Sequence, residues 1–232
     1  MTVLDIDIGN TFLKWRDAQS PGIQGSIRLA DLDNTIWPDR VERVRIASVA
    51  GKAVNQQLIE FTGQRWGVVP EFAVTVAAQA GVVNSYKDPA RMGVDRWLAI
   101  ISAYSKAKKA CWVVDCGSAI TVEQIAADGR HLGGYIIPGL QLMSRNLLSN
   151  TAEIIVDHSI QAFDARPGVN TSEAVQHGIN LLFSGLAEKV AAMAITDPIF
   201  VTGGDGELFS SLNSKFIFSP ELVMDGLELA LG

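Results

Sequence analysis

The sequence contains few residues of the types that hold disulfide-rich or zinc-binding proteins together. It has two cysteines and three histidines among 232 residues. Cys111 and Cys116 are too few for a disulfide scaffold, and their separation by four residues does not match a CxxC metal or redox motif. The histidines, His131, His158 and His177, are widely spaced, so no cluster of metal ligands is visible. We therefore expect a protein that folds without covalent staples in a reducing compartment.

Basic charge and long apolar runs are also scarce. The 19 Lys and Arg residues are outnumbered by 25 Asp and Glu, for a formal net charge of −6. This balance does not supply the basic surface that non-specific nucleic-acid binding requires. No apolar run reaches the roughly 18 residues of a membrane span, and the start MTVLDIDIGN does not show the basic and then apolar pattern expected of a signal peptide. We therefore expect a cytoplasmic protein with neither a nucleic-acid nor a membrane partner.

What the sequence does contain is an internal similarity between its two halves. Asp7 and Gly9 match Asp115 and Gly117, 108 positions later, and each pair follows a short apolar run. Each copy predicts a buried strand that ends in an acid and a glycine turn. The two copies predict an α/β protein with two related domains, residues 1–109 and residues 110–232.

Helices are predicted between and after these strands. Apolar residues at positions 97, 100, 101 and 104 predict a helix that begins near Asp95. A second helix is predicted from Ser172 to about Met193. A third strand and glycine turn are predicted over residues 200–205, and a last helix ends near Leu231.

The first glycine motif has the residue types of a phosphate-binding turn. In Asp7-Ile8-Gly9-Asn10-Thr11 the glycine lets a phosphate oxygen approach the main chain, and Asn10 and Thr11 add donors. The Asp7 carboxylate would meet a phosphate only through Mg²⁺ or water. By itself the motif is an equally good ordinary hairpin turn.

The second copy favours the phosphate hypothesis. Asp115-x-Gly117-Ser118 offers a matching turn, and two such loops on facing domains could clamp a triphosphate from both sides. Gly203-Gly204-Asp205 fits either a third loop near a nucleoside or a plain strand-to-helix turn.

Residues 81–97 are dense in polar groups that can recognise a small ligand. Asp95 at a helix start could accept a proton from an alcohol during phosphoryl transfer. Arg96 could hold a carboxylate or a phosphate. From spacing alone, a helix cap is favoured over a catalytic base at Asp95.

Six motifs in order resemble those of type III pantothenate kinases. They are Asp7-Ile8-Gly9-Asn10-Thr11, Gly93-Val94-Asp95-Arg96-Trp97, Asp115-Cys116-Gly117-Ser118-Ala119-Ile120-Thr121, Gly133-Gly134-Tyr135-Ile136-Ile137-Pro138-Gly139, Thr171-Ser172-Glu173-Ala174-Val175 and Thr202-Gly203-Gly204-Asp205. The resemblance spans essentially the whole chain. It implies two ribonuclease-H-like domains of the actin-like ATPase type. It also implies ATP-dependent phosphorylation of pantothenate to 4'-phosphopantothenate, the first step of coenzyme A biosynthesis.

The resemblance also implies which residues form the site. Asp95 would be the catalytic base, Asp7 would hold Mg²⁺ directly or through water, and Asp115 would hold a monovalent cation, K⁺ or NH₄⁺. The residues implied to bind ATP are Asp7, Ile8, Gly9, Asn10, Thr11, Phe12, Leu13, Lys14 and Ser118. Those implied to bind pantothenate are Tyr86, Gly93, Val94, Asp95, Arg96 and Thr171. The family is typically homodimeric.

Two departures and two alternatives accompany the resemblance. Ser118 replaces the usual Thr and keeps its hydroxyl, and Met92 replaces the usual Leu, a tolerable apolar exchange. The alternatives are another small-molecule kinase of the same superfamily and a catalytically weak regulatory accessory protein. The presence of Asp7, Asp95, Arg96 and Asp115 argues for an active kinase.

Overall fold

Twelve strands and six α-helices form the described part of the chain. The computed structural model describes residues 2–9, 12–20, 22–34, 37–150 and 163–232. The strands are β1 (Val3–Ile8), β2 (Leu13–Asp17), β3 (Gln24–Ile27), β4 (Arg43–Ser48), β5 (Glu71–Phe72), β6 (Ala78–Gln79), β7 (Val82–Val83), β8 (Cys111–Cys116), β9 (Ala119–Ile125), β10 (His131–Pro138), β11 (Ile199–Thr202) and β12 (Phe216–Phe218). The α-helices are α1 (Lys52–Trp66), α2 (Val94–Ala107), α3 (Leu140–Ser149), α4 (Thr171–Met193), α5 (Gly206–Ser211) and α6 (Leu222–Leu231).

The chain divides into two units. Unit 1 comprises Met1–Lys108, Asp128–His131 and Glu221–Gly232, and unit 2 comprises Lys109–Ala127 and Leu132–Pro220. Helix α6 thus belongs to unit 1, although it follows the second sheet in the sequence. The reason is close packing against α2: a Cβ on Gly226 would overlap the backbone carbonyl of Leu98.

Unit 1 is built on a five-stranded sheet. Its strand order is β3-β2-β1-β4-β5. The first three strands pair antiparallel, and β1, β4 and β5 run parallel. Five of the six residues of β1 are buried, as expected for a central strand covered on both faces. Trp37 lies in the core of this unit, with its ring 5.1 Å from that of Trp15 and 5.6 Å from that of Phe61.

Unit 2 repeats the same sheet. Its strand order is β10-β9-β8-β11-β12, which matches unit 1 strand for strand. Strand β8 pairs antiparallel with β9 and parallel with β11, as β1 does with β2 and β4. The unit's core contains Phe183, Phe209 and Phe216. The Phe183 and Phe209 rings meet edge to face at 5.0 Å, and the Phe209 and Phe216 rings stack at 4.9 Å. The predicted α/β class and internal duplication are confirmed.

The predicted helices and the third strand are present. Helix α2 ends where Lys108 adopts a left-handed conformation and donates its N–H to the Tyr104 carbonyl. Helix α4 begins after Asn170, whose side chain accepts a hydrogen bond from the N–H of Glu173 at 2.9 Å. None of the helices in the described ranges is both long and apolar enough to cross a membrane.

Candidate active site

Asp7 lies at the end of the central strand of unit 1. It is the fifth of six residues in β1 and is half-buried between two buried isoleucines, Ile6 and Ile8. The antiparallel register places Lys14 of β2 directly opposite Asp7. Side chains opposite each other in such a pair lie on the same face with their Cβ atoms about 5 Å apart. A carboxylate and an ammonium group therefore share one end of the sheet.

The turn that follows Asp7 is a hairpin. Gly9 donates its N–H to the Phe12 carbonyl at 3.1 Å. Asn10 and Thr11, which the resemblance assigns to ATP, lie outside the described residues. The side chain of Phe12 is exposed, whereas Ile8 and Leu13 are buried in the core. Ile8 and Leu13 can therefore face a ligand only through their main-chain atoms.

Asp95 lies in the first turn of α2, one residue after the helix begins. The N-cap is Gly93, so Asp95 is not the N-cap residue itself. Its Oδ1 accepts a hydrogen bond from the N–H of Arg96 at 2.7 Å. A Cβ on Gly93 would come within 2.6 Å of that oxygen, so glycine leaves the space that the carboxylate occupies. The positive end of the helix dipole favours a negative charge at this place.

The side chain of Arg96 is directed at Tyr86. Its Nη1 donates to the Tyr86 hydroxyl at 3.0 Å, and its Cζ lies 5.7 Å from the centre of the tyrosine ring. Arg96 is only 7% exposed, although it carries a full charge. A buried guanidinium next to a phenol is suited to bind an anionic or hydroxylated ligand. Tyr86 also borders a cavity of about 390 Å³ with Lys87, Asp88 and Arg91.

Asp115 has the same position in unit 2 that Asp7 has in unit 1. It is the fifth of six residues in β8 and is half-buried. The register places the neutral Thr121 of β9 opposite it, and Thr202 of β11 lies on its other side. Asp115 therefore ends a central strand beside two hydroxyl-bearing residues.

Glycines bring main chain close to Asp115 and Ser118. Gly203 has φ = +92°, and a Cβ there would lie 2.5 Å from Asp115 Oδ1. A Cβ on Gly139 would overlap the carbonyl oxygen of Gly117, and the N–H of Gly139 donates to the Ser118 carbonyl at 3.0 Å. Because neither glycine has a side chain, the main chain at Gly203 can lie against the Asp115 carboxylate, and the main chain at Gly139 can lie against the Ser118 turn. The motifs that contain Gly139 and Gly203 were visible in the sequence, but these close approaches were not.

The third glycine turn joins the same strand ends. Asp205 donates its N–H to the Cys116 carbonyl at 2.9 Å. Burial raises the pKa of the Asp205 carboxyl. Burial also raises the pKa of the Cys116 thiol, and the charges of Asp115 and Asp205 raise it further. Cys116 is therefore a protonated core residue and not a nucleophile.

Ser118 and Thr171 lie in different parts of unit 2. Ser118 is exposed in the turn after β8. Thr171 is the first residue of α4 and borders a groove of about 700 Å³, whose other lining residues include Leu147, Val175 and Leu182. The residues that line this groove do not include any of the Asp115 turn.

The donor set fits cations that are held jointly with a phosphorylated ligand. Within the described ranges, no three or more His, Cys, Asp and Glu side chains converge as a dedicated metal cage would require. Mg²⁺ in phosphoryl-transfer sites is usually held by one or two carboxylates together with phosphates and water. Asp7 and Asp115 each supply a carboxylate of this kind, at the end of a strand and next to a glycine turn.

Comparison with known proteins decides the family. A family model described as type III pantothenate kinase matches residues 3–193. The chain belongs to the type III pantothenate kinase family. Proteins with this name from Marinobacter nauticus and Pseudomonas aeruginosa are 38% and 37% identical to it. The alignments cover 97% and 98% of this chain, and 96% and 98% of those relatives. The family recognised from the motifs is confirmed.

Solved structures show the same fold at lower identity. A Campylobacter jejuni protein described as a conserved Baf family transcriptional activator aligns with a TM-score of 0.63 and 20% identity, over 97% of this chain and 95% of that one. A protein described as a 2-dehydro-3-deoxygalactonokinase from Sinorhizobium meliloti aligns with a TM-score of 0.56 and 14% identity, over 99% and 95%. The chain therefore has two ribonuclease-H-like domains of the actin-like ATPase fold, and it shares this fold with the sugar-acid kinase.

Two polar residues beside Tyr86 were given no role in the sequence analysis. Ser85 and His131 contact each other beside Tyr86. His131 is isolated from the other two histidines in the sequence, and its position next to Tyr86 depends on a long-range contact. The one available signal was its place just after the Asp128-Gly129 turn and before the Gly133-Gly134 pair.

Proposed function

We propose that this chain transfers the γ-phosphoryl group of ATP to pantothenate and releases ADP and 4'-phosphopantothenate, the first step of coenzyme A biosynthesis. The proposal rests on relatives that align with nearly the whole chain. Proteins named type III pantothenate kinase match 97–98% of the chain at 34–38% identity. Another small-molecule kinase activity is disfavoured because the sugar-acid kinase of similar fold is only 14% identical.

Asp95 is proposed as the base for the acceptor alcohol. In the reaction the hydroxyl oxygen of pantothenate forms a bond to the γ-phosphorus, and the bond between that phosphorus and the β,γ-bridging oxygen breaks. The hydroxyl proton passes to the Asp95 carboxylate. One carboxylate oxygen is held by the N–H of Arg96, and this contact orients the group. A fixed orientation favours proton transfer because the donor and acceptor are already within reach.

The acceptor-binding residues are proposed to be Tyr86, Gly93, Val94, Arg96 and Thr171, together with Asp95. Pantothenate carries a carboxylate and hydroxyl groups, and Arg96 and Tyr86 supply a guanidinium and a phenol that already contact each other. The side chain of Val94 is buried, so this position would contribute its main chain. Gly93 contributes the space in which Asp95 lies.

The nucleotide-binding residues are proposed to be residues 7–14 and Ser118. Mg²⁺, when bound, would neutralise charge on the transferring phosphoryl group, and Asp7 is its proposed protein ligand. Lys14 lies opposite Asp7 in the strand register, so it can place a positive charge near the phosphates.

Three further features are proposed. A monovalent cation, K⁺ or NH₄⁺, is proposed at Asp115, where a carboxylate ends β8. A homodimer is proposed because Leu181 and Leu182 of α4 are exposed apolar side chains, and such residues next to one another favour an interface. A cytoplasmic location is proposed because ATP is the phosphoryl donor and both cysteines are free thiols.

The proposal is tested by measuring ADP release from purified protein with ATP, Mg²⁺ and pantothenate, followed by mass detection of 4'-phosphopantothenate. We expect turnover that depends on all three components. Sugars and short hydroxy acids at the same concentration serve as alternative acceptors. Turnover of one of these in place of pantothenate would contradict the proposed substrate. Absence of transfer to every acceptor, with nucleotide binding retained, would favour the regulatory alternative.

A further inference from the structure

A buried histidine lies beside the substrate segment of unit 1. His131 is 3% exposed, and its ring stacks on that of Tyr86 with centroids 6.4 Å apart and planes inclined by 30°. Its Nδ1 lies 2.9 Å from the hydroxyl oxygen of Ser85. One imidazole therefore contacts two consecutive residues, Ser85 through a hydrogen bond and Tyr86 through its ring.

His131 contacts the same tyrosine that Arg96 holds. Arg96 donates to the Tyr86 hydroxyl at 3.0 Å and lies 5.7 Å from the ring centre. His131 stacks on the same ring. The phenol oxygen that accepts from Arg96 can still donate its own hydrogen to a ligand. The orientation in which it donates depends on where His131 and Arg96 hold the ring.

The chain around His131 is itself anchored to the segment before Tyr86. The N–H of Val83 donates to the Gly129 carbonyl at 3.0 Å, and Val83 forms a parallel bridge with Arg130. Gly129 has φ = +84°, and a Cβ there would overlap the carbonyl of Gly81. The turn 128–131 therefore packs so closely against residues 81–83 that it sets the position of His131 relative to Tyr86.

We infer that His131 is a positioning residue for pantothenate binding, which acts through Ser85 and Tyr86 and sets the direction of the Tyr86 hydroxyl and the Arg96 guanidinium. This inference rests on the proposed function, because it takes Tyr86 and Arg96 as pantothenate contacts. It assigns His131 no chemical step. Loss of its contacts should weaken the binding of the acceptor and leave phosphoryl transfer and nucleotide binding nearly unchanged.

The two contacts of His131 can be removed separately. His131→Phe keeps an aromatic ring for Tyr86 and loses the hydrogen bond to Ser85. His131→Asn keeps a polar group near the Nδ1 position and loses the ring. Ser85→Ala removes the same hydrogen bond from an exposed residue, so it tests the bond even if a substitution at the buried His131 prevents folding. Val190→Ala, in the core of unit 2, is a control for general loss of stability.

The readout is the KM for pantothenate, the KM for ATP and kcat, measured beside the thermal unfolding midpoint. One lost hydrogen bond corresponds to about a three- to tenfold rise in the KM for pantothenate. We expect this rise in His131→Phe and Ser85→Ala, and a rise in His131→Asn from the lost ring contact with Tyr86. In all three, kcat and the KM for ATP should stay within about twofold. The double variant Ser85→Ala/His131→Phe should resemble His131→Phe, because both changes remove one bond.

Results that contradict the role of His131 can be distinguished from failure of the proposed function. If the unaltered protein does not phosphorylate pantothenate, the proposed function fails before any variant is compared. If it does, an unchanged KM for pantothenate in the three single variants overturns the inference about His131. A fall in kcat without a change in KM also overturns it. So does a KM change of equal size in Val190→Ala, since that result would follow from lost stability alone.

Discussion

Asp7 and Asp115 occupy equivalent positions in two sheets of identical strand order. Each is the fifth residue of a six-residue central strand with the same pattern of burial. Their cross-strand partners differ, since Lys14 lies opposite Asp7 and Thr121 lies opposite Asp115. The duplicated scaffold therefore presents two carboxylates in different electrostatic surroundings, one with a built-in cation and one beside a neutral hydroxyl. We expect the two to perform different tasks in the kinase.

The Asp95→Asn substitution separates catalysis from helix capping. The amide oxygen of the introduced asparagine would still accept the hydrogen bond from the Arg96 N–H, so the start of α2 should be preserved. The amide cannot accept the alcohol proton. We expect kcat to fall by at least about 100-fold, with an unfolding midpoint close to that of the unaltered protein.

The matched control for Asp95→Asn is Glu60→Gln, which removes one negative charge from the exposed side of α1. It should retain full activity. Turnover of Asp95→Asn within about tenfold of the unaltered protein, roughly 1.4 kcal/mol of barrier, would contradict the role of Asp95 as base. Its carboxylate would then be a helix-start residue only.

Asp7→Ala should impair phosphoryl transfer through the metal. The substitution removes the proposed carboxylate anchor for Mg²⁺ and leaves Lys14 without its cross-strand acid. Since Mg²⁺ neutralises charge on the transferring group, we expect the rate to fall by about 100-fold or more at millimolar Mg²⁺. The measurement is the initial rate as a function of Mg²⁺ concentration.

The Mg²⁺ titration distinguishes two contributions of Asp7. Full recovery at high Mg²⁺ would limit Asp7 to metal affinity. Activity equal to that of the unaltered protein at every Mg²⁺ concentration would contradict the assignment of the first loop. Asp39→Ala, an exposed acid of the same unit, should give an unchanged titration curve.

Strands β1, β8 and β11 and helices α2 and α4 could be predicted because their signals are local, whereas α1 and β4 were not predicted. The run from Val3 to Ile8 and the run from Cys111 to Cys116 are apolar except for their acids, and each ends at a glycine turn. The repeated acid–glycine pattern was enough to predict the duplication. The place of Asp95 in the first turn of α2 could be predicted for the same reason.

Contacts between distant segments could not be predicted in this way. No local pattern shows that His131 stacks on Tyr86 or that α6 packs against α2 in unit 1. The side chains of Ile8, Leu13 and Val94 are buried, so these residues can contact a ligand only through their main chain. The family motifs do not distinguish such residues from those whose side chains could contact a ligand. Such facts depend on packing, which periodicity does not encode.

A partly buried ion-pair network in unit 1 should make stability depend on acidic pH. Arg16 donates to Asp225 of α6 at 2.7 Å and to the buried Asp5 at 3.1 Å, and Lys106 of α2 lies 2.9 Å from Asp225. Burial alone raises the pKa of the Asp225 carboxyl. Hydrogen bonds from Arg16 and Lys106 and their positive charges outweigh it, so the pKa is lower than usual.

Because the pKa of Asp225 is lower in the folded state, its stabilising contribution is present at neutral pH. It is lost as the pH falls below the ordinary range of aspartate, near 4, and through the folded-state value. We expect Asp225→Asn to lower the free energy of unfolding by about 1–3 kcal/mol at pH 7, measured by urea denaturation. The difference from the unaltered protein should shrink towards pH 3.

The control for this network is Glu228→Gln, an exposed acid on the same helix. It should change the free energy of unfolding by less than about 0.5 kcal/mol. A constant difference between Asp225→Asn and the unaltered protein from pH 7 to pH 3 would show that the carboxylate charge does not stabilise the fold.

Activity should depend on a monovalent cation through Asp115. Thr121 lies opposite Asp115 where Lys14 lies opposite Asp7, so the second turn lacks the cross-strand cation of the first. Phosphates that approach Ser118 would meet the negative charge of Asp115 in a partly desolvated place, where repulsion is strong. A bound cation would offset this repulsion. K⁺ and NH₄⁺ suit this position because they shed water more readily than Na⁺.

The measurement is the initial rate in Tris buffer free of K⁺ and NH₄⁺, followed by titration with potassium chloride against sodium chloride of equal ionic strength. We expect activation by potassium well above that by sodium. Asp115→Asn should abolish the difference between the two salts, because the neutral amide neither repels phosphate nor binds the cation strongly. Glu188→Gln, at an exposed acid on α4 of the same unit, should keep it. Equal activation of the unaltered protein by the two salts would remove the cation from Asp115, while the tests of Asp7 and Asp95 would still decide the kinase mechanism.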